Sequence, residues 1–236
     1  MYSHNFLQEY WMPKYPDQTT LIIVLGCLAC AVIGYLLGSI NCSIIISKIF
    51  YKDDIRTHGS GNAGSTNMLR THGTVSGLVT FVCDGLKTAI AVIAGALIYN
   101  LPGAYVAGLF CIIGHVFPVF FKFKGGKGVV TVAVMMALTN IKTFLICLLI
   151  FLIVVIGTRY VSLGSIIAVI LYPLVLFNML LLFKAQWIEY VGVPIAFLVT
   201  VIVVVKHRSN IKKLLNHTES KISFSKHGTD GGKKES

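Results

Sequence analysis

Apolar runs and short polar interruptions alternate along nearly the whole chain. Residues 21–37 form an uncharged apolar run, Gly38-Ser39 interrupts it, and residues 40–50 resume it as a short helix. A second run, 75–99, contains Asp84 and Lys87. The turn Asn100-Leu101-Pro102-Gly103 separates it from a third, 104–121, which contains His115. Runs 129–139 and 143–158 are short for a hydrocarbon core about 30 Å thick at about 1.5 Å rise per residue. Joined at Asn140-Ile141-Lys142, they read as two abbreviated spans or as a re-entrant pair. Runs 161–183 and 188–205 complete the set. The pattern predicts an all-α polytopic membrane protein of seven transmembrane helices, two of them short, or five if the short pair is re-entrant.

Composition agrees. The 236 residues are 56% hydrophobic and 12% charged, where soluble domains carry about 25% charge. The net charge of +11 does not point to nucleic acid, because the cations flank the apolar runs. Lys52, Arg56, Arg70, Lys122, Lys124, Lys127, Arg159 and the tail cations fall on one face, and Lys14, Lys142 and Lys184 on the other. The positive-inside rule then puts the N-terminus outside and the C-terminus in the cytoplasm. The predicted organisation is an extracytoplasmic tail, 1–20; a transmembrane domain, 21–206, with cytoplasmic loops 51–74, 122–128 and 158–162; and a basic cytoplasmic tail, 207–236. Residues 1–20 lack the basic start and short apolar core of a cleavable signal. The six cysteines lie in or beside apolar runs, so no disulfide framework is expected, and Cys27 and Cys30 read as packing residues.

Two polar loops carry candidate chemistry. The first, Asp54 to Arg70, holds Gly59, Ser60, Gly61, Asn62, Gly64, Thr66 and Asn67 between Arg56 and Arg70. Glycine frees backbone N–H groups to form an anion-sized concavity, and arginine adds forked donors suited to phosphate. The second holds Lys124, Gly125, Gly126, Lys127 and Gly128 just before a helix, where orphan N–H groups favour phosphate. Its spacing is not that of a Walker A loop. Two such loops suggest two phosphorylated substrates. Asp84 and Lys87, three apart inside a span, are either a self-neutralising pair or a carboxylate aiming Lys87 at a phosphate. His207 and Asn210 share a helix face. Ser39, Ser162 and Ser165 add hydroxyls, and His115 reads as a structural histidine. No metal-ligand cluster and no cofactor is expected.

These residues resemble one family, the bacterial acyl-phosphate:glycerol-3-phosphate acyltransferases (PlsY). Gly38-Ser39-Ile40 resembles its opening motif, and Asp54–Arg70 is similar to its D-x-R-x-x-G-S-G-N-x-G-x-T-N-x-x-R signature. Asp84–Lys87, Gly114–Phe120, Phe123–Thr131 and Ser162–Ser165 match its later motifs, and His207–Leu214 with Glu219 its last. The resemblance covers about residues 21 to 222. Asn41 stands where proline is common, Thr88 where glycine commonly follows the lysine, His217 where glycine often stands, and Lys213 in place of a usual arginine.

The resemblance implies that the sn-1 hydroxyl of glycerol 3-phosphate attacks a long-chain acyl phosphate at the inner face of a bacterial plasma membrane. Lysophosphatidic acid and phosphate leave. It implies that Ser39 and Arg56 orient the reacting groups, with His207 and Asn210 from the last motif. The glycines and polar residues of both loops would hold phosphate, helped by Arg70, Lys87, Lys124, Lys127 and Ser165. Asp84 and Glu219 would be structural. Expected partners are the two substrates and membrane lipid, with a soluble acyl-phosphate-forming enzyme as a candidate. His207 as general base and the departing phosphate as base both stay open. The rival reading is a transporter or channel for phosphorylated anions, against which stands the clustering of every polar loop on one face.

Overall fold

The computed structural model describes residues 6–222, and the outer parts of both predicted tails, 1–5 and 223–236 with His227, lie outside the described residues. Eight α-helices run in order: α1 Thr19–Ser39, α2 Cys42–Ile46, α3 Ser65–Val116, α4 Val129–Thr139, α5 Ile141–Thr158, α6 Val161–Leu182, α7 Gly192–Lys206 and α8 Arg208–Leu215. Five helical stretches are long and apolar enough to cross a membrane: Pro16–Tyr51, Ser65–Phe121, Ile141–Thr158, Val161–Leu182 and Trp187–Lys206. Large apolar side chains such as Leu28, Leu86, Leu149 and Val201 face outward, as lipid contact requires.

The 52-residue α3 is three pieces. Gly73, at φ 86°, separates 65–72 from 74–98, and Asn100, at φ 46°, separates those from 101–116. The break therefore falls one residue ahead of the predicted turn, so that Pro102 sits in the first turn of the last piece, where its missing N–H costs nothing. The first polar loop is also shorter than predicted, because 65–72 is helical.

The last piece of α3 packs on α1 backbone to backbone. A Cβ on Gly34 would lie 2.2 Å from the Ala107 carbonyl, and one on Gly38 would lie 2.1 Å from that of Cys111. Small residues four apart permit this contact, which drives helix association where lipid removes the hydrophobic effect. The main core lies among α3, α4, α6 and α7, around Tyr105, Ile112, Met135, Tyr172 and Val199. The short α4 sits inside this bundle, with Met135 and Met136 buried. Asn140 alone joins it to α5, its Oδ1 accepting the Thr143 N–H at 3.0 Å. Beyond the predicted tail character, Leu7 folds back and is buried against Gly26.

A smaller core of Ile44, Ile55, Ala63 and Met68 lies under the first polar loop. Those four apolar pins seat an otherwise polar segment on the end of the bundle. Asn41 caps α2, accepting from Ile44 N–H at 3.2 Å, and its Nδ2 reaches the Ala63 carbonyl at 3.5 Å.

Candidate functional site

Asn67 organises the first loop. Its Oδ1 accepts the Ser60 N–H at 2.9 Å, and its Nδ2 donates to the carbonyls of Ile55 at 3.1 Å and His58 at 3.0 Å. Gly59 and Gly61 take φ of 56° and 70°, which glycine adopts without strain. The loop thereby delivers Gly64, Ser65 and Thr66 as the start of α3.

Three helix starts face one cavity of about 220 Å³: α3 through Gly64, Ser65 and Thr66, α4 through Gly128 and Val129, and α6 through Val161 and Ser162. Ser60, Asn62, Asn67, Arg70, Lys127, Ser165, His207, Asn210 and Glu219 line it as well, with Asp84 and His115 deeper. The first N–H groups of a helix lack intrahelical partners and carry its positive dipole end. Each such end is worth only about 0.5 kcal/mol to an anion. A charge-assisted hydrogen bond is worth about 1.5–3 kcal/mol. Arg70 and Lys127 are therefore the stronger donors this cavity offers an anion, and the helix ends the weaker.

Two further spaces adjoin. A groove of about 400 Å³ shares Ser60, Asn62, Lys127 and Asn210 with the cavity and adds Gly61, Gly125, Lys206, Arg208 and Lys213. An apolar cavity of about 210 Å³ shares Phe81, Val129, Val130, Phe151 and Ser165 and continues past Val132, Met136, Phe144 and Cys147. Phe81 and Phe151 were indistinguishable in sequence from other lipid-facing aromatics. Ser162 and Ser165, one helical turn apart, were the legible signal for the α6 wall.

Several expected residues stand elsewhere. Arg56 grips Asp54 through Nε and Nη2 at 2.9 and 2.6 Å, and its Nη1 donates to the carbonyls of Phe121 and Lys124, each at 3.0 Å. It brackets the two polar loops together, and its donors hold the Asp54 carboxyl down at about 2. Ser39 is fully buried, its Oγ accepting the Val119 N–H at 3.4 Å. Lys87 donates to Asp84 at 2.6 Å and to the Ile40 carbonyl at 2.7 Å, with His115 Nδ1 at 3.1 Å. Of the two readings of this pair, the geometry displays the buried ionic cluster, and Lys87 does not line the cavity. The Lys124 side chain is exposed and, like Gly59 and Gly126, lines neither the cavity nor the groove.

The second loop differs from the predicted cradle. Gly125 and Gly126 donate their N–H groups to the carbonyls of Val116 and His115, at 3.2 and 3.1 Å, and so close the end of α3. What the loop offers the cavity is Lys127 and the start of α4. Lys127 Nζ donates to Asn210 Oδ1 at 2.5 Å. Burial pushes its ammonium down to about 8, Glu219 opposes that, and Lys213, Arg70 and Lys206 add to it. His207 sits at the end of α7 with Nδ1 2.8 Å from the Val203 carbonyl, so Nδ1 carries the proton and Nε2 is an acceptor. Burial pushes this imidazole down to about 4. Among the described residues no group of three metal-ligating side chains comes together.

Comparison with known proteins matches residues 28–217 to the family model described as glycerol-3-phosphate acyltransferase. The glycerol-3-phosphate acyltransferase of Finegoldia magna is 42% identical over 201 residues, covering 85% of this chain and 96% of the relative. That of Clostridioides difficile is 42% identical over 202 residues, covering 83% and 95%. Among solved structures, PlsY, an integral membrane glycerol 3-phosphate acyltransferase, matches in its glycerol 3-phosphate form with a TM-score of 0.75 at 32% identity, covering 84% of this chain and 96% of that one. Its lysophosphatidic acid form matches with a TM-score of 0.72.

Proposed function

This chain belongs to the glycerol-3-phosphate acyltransferase family and is an integral membrane acyltransferase of the PlsY type, and from that premise we propose its donor, its regiochemistry and its membrane side. The donor is a long-chain acyl phosphate, and the acceptor oxygen is the sn-1 hydroxyl of glycerol 3-phosphate. The observation that carries the reading is the meeting of an anion cavity with an apolar cavity on one side and a cationic groove on the other. A molecule that is phosphate at one end and hydrocarbon at the other fits the first pair. A small water-soluble phosphate fits the groove, where exposed Arg208 and Lys213 and half-buried Lys206 supply the cations around it. Lys127 and Asn210 border both and stand between the two phosphates.

The acceptor hydroxyl oxygen then attacks the acyl carbonyl carbon, the carbon–oxygen bond to phosphorus breaks, and phosphate leaves with the hydroxyl proton. His207 titrates at about 4, a weaker base than a phosphate oxygen that titrates near ~6. The departing phosphate is therefore the better proton acceptor, and His207 Nε2 orients the hydroxyl. An acyl phosphate is already activated, so no covalent enzyme intermediate is needed. Positioning and charge stabilisation supply the catalysis. Ser39 and Arg56 serve by holding the loops that shape the site. The excess of cations in the loops at this end supports a cytoplasmic active site in a bacterial cell, with the N-terminus outside. Counting α3 as two arms and α4 and α5 as separate gives seven spans.

The test is formation of lysophosphatidic acid by the purified, lipid-embedded protein from glycerol 3-phosphate and palmitoyl phosphate, with palmitoyl-coenzyme A as the competing donor. Product acylated at sn-1, from the phosphate donor only, is expected. Product from the thioester alone, or acylation at sn-2, would overturn the donor or the regiochemistry.

A further inference from the structure

The segment after α8 turns back over the cavity. His217, at φ 56°, ends the helix, and Thr218 N–H returns to the Lys213 carbonyl at 2.8 Å. Arg70 Nη2 then donates to the Ser220 carbonyl at 3.2 Å, and Ile222 N–H donates to the Arg159 carbonyl at 2.9 Å. Between these anchors Glu219 points inward. Its Oε1 accepts from Ser162 Oγ at 2.9 Å and from Asn210 Nδ2 at 2.8 Å.

Asn210 can satisfy both neighbours in one orientation only. Its NH₂ faces the carboxylate, so its carbonyl oxygen faces the Lys127 ammonium. The result is a line of carboxylate, amide and ammonium in which the two charges are separated by a neutral spacer. A direct ion pair would hold Lys127 equally well but would compete with a substrate phosphate for the same donors. The amide uses one of the three ammonium N–H groups and leaves two for the cavity.

We propose, resting on the acyltransferase reading above, that Glu219 is a positioning residue which acts through Asn210 to hold the Lys127 ammonium aimed at substrate phosphate, and that strap 217–222 exists to carry that carboxylate in. The groups facing Lys127 are Glu219 on the strap, Lys213 on α8, Arg70 on α3, Lys206 and His207 at the end of α7, and Asp84 and His115 on the cavity wall. Glu219 is the member of this set whose charge opposes loss of the Lys127 proton most strongly.

The experiment reads Lys127 directly in the full-length protein by competitive acetylation against pH, quantified by mass spectrometry, so that it needs no substrate. Wild type should titrate at about 8. Glu219→Gln keeps both hydrogen-bond acceptances but removes the charge, and should move the titration about one unit lower. Glu219→Asp keeps the charge and should stay near wild type. Lys221→Ala removes a strap side chain that lies 5.4 Å over the Tyr160 ring and takes no part in the hydrogen bonds that anchor the strap and Glu219, so it should leave the titration in place. In the lysophosphatidic acid assay, Glu219→Gln should lose about tenfold in kcat/KM for glycerol 3-phosphate at the alkaline end and much less near pH ~6. Superimposed titrations for wild type and Glu219→Gln, or an equal shift in Lys221→Ala, would overturn the proposal. Absence of product from palmitoyl phosphate in wild type strikes the donor reading alone, because the acetylation profile still decides this one.

Discussion

The two glycine-rich loops read alike in sequence and do different work. Residues 59–67 use glycine for backbone angles, at Gly59 and Gly61, and end as a helix start open to the cavity. Residues 122–128 use Gly125 and Gly126 for space, and only Gly128, at φ 81°, for a backbone angle. A Cβ on Gly125 would lie 2.0 Å from the His115 carbonyl, and one on Gly126 would lie 2.2 Å from His115 Nε2 and 2.5 Å from the Ala63 carbonyl. The first loop bonds its Ser60, Gly61 and Gly64 N–H groups internally and presents the start of α3 at Ser65 and Thr66, whereas the second is a tight closure of α3 that presents one lysine and the start of α4. A basic Gly-Gly-Lys-Gly run is thus compatible with an anion site whose first two glycines close a helix instead.

The sharpest way to break that contrast is Gly126→Ala. Two neighbours would have to move, one of them backbone, so the folded state should lose about 3 kcal/mol or more. A clear fall in thermal unfolding temperature is expected, and an unchanged one would mean the closure is not close-packed. Next in size, Lys127→Ala should lower turnover by roughly 100-fold with an unchanged unfolding temperature. The same lysine predicts a pH dependence. In the proposed role its charged form holds phosphate, and that form is lost as pH rises through about 8, so glycerol 3-phosphate affinity, read by calorimetry, should fall above that pH and hold below it.

Asn67→Ala removes one acceptor and two donors from the first loop. A cost of about 2 kcal/mol is expected in chemical unfolding, together with reduced activity. Gly61→Ala should cost only about 1 kcal/mol, since its Cβ would meet the Arg56 carbonyl no closer than 3.4 Å. If it proved as damaging as Gly126→Ala, the distinction between angle and space would fail. Smallest of all, Lys124→Ala should change kcat/KM by less than about twofold, because an exposed cation beside water contributes little. A 100-fold loss there would restore the loop as a whole to the phosphate site.

Much of the site was legible. The apolar runs named the helices, and Ser60, Asn62, Gly64, Thr66, Asn67 and Arg70 of the first loop line one cavity with Lys127, Ser165, His207 and Asn210. What was not legible is which cations remain available. Lys87 and Lys127 both read as candidate phosphate-binding lysines, yet Lys87 is enclosed by Asp84, Ile40 and His115, while Lys127 lines the cavity. Arg56 was read as a substrate-orienting residue, and its donors go to Asp54 and to two carbonyls more than sixty residues away. The groove beside Phe81 and Phe151 had no signal, because a lipid-facing and a substrate-facing aromatic occupy the same apolar run.

Sequence by itself determined that this chain is a helical membrane protein with its cations at one end, and it supplied the polar residues from which the site is made. Those properties follow from the hydrophobic period and from where charge is tolerated, which are local. Tertiary structure alone decided which of those residues face the cavity. A donor is available only if no neighbour has claimed it, and the neighbours that claim Arg56, Lys87, Gly125 and Gly126 come from other segments folded against them. The same folding brings the α3, α4 and α6 starts to one cavity, where three weak helix dipoles and two cations together offer an anion what none of them offers alone.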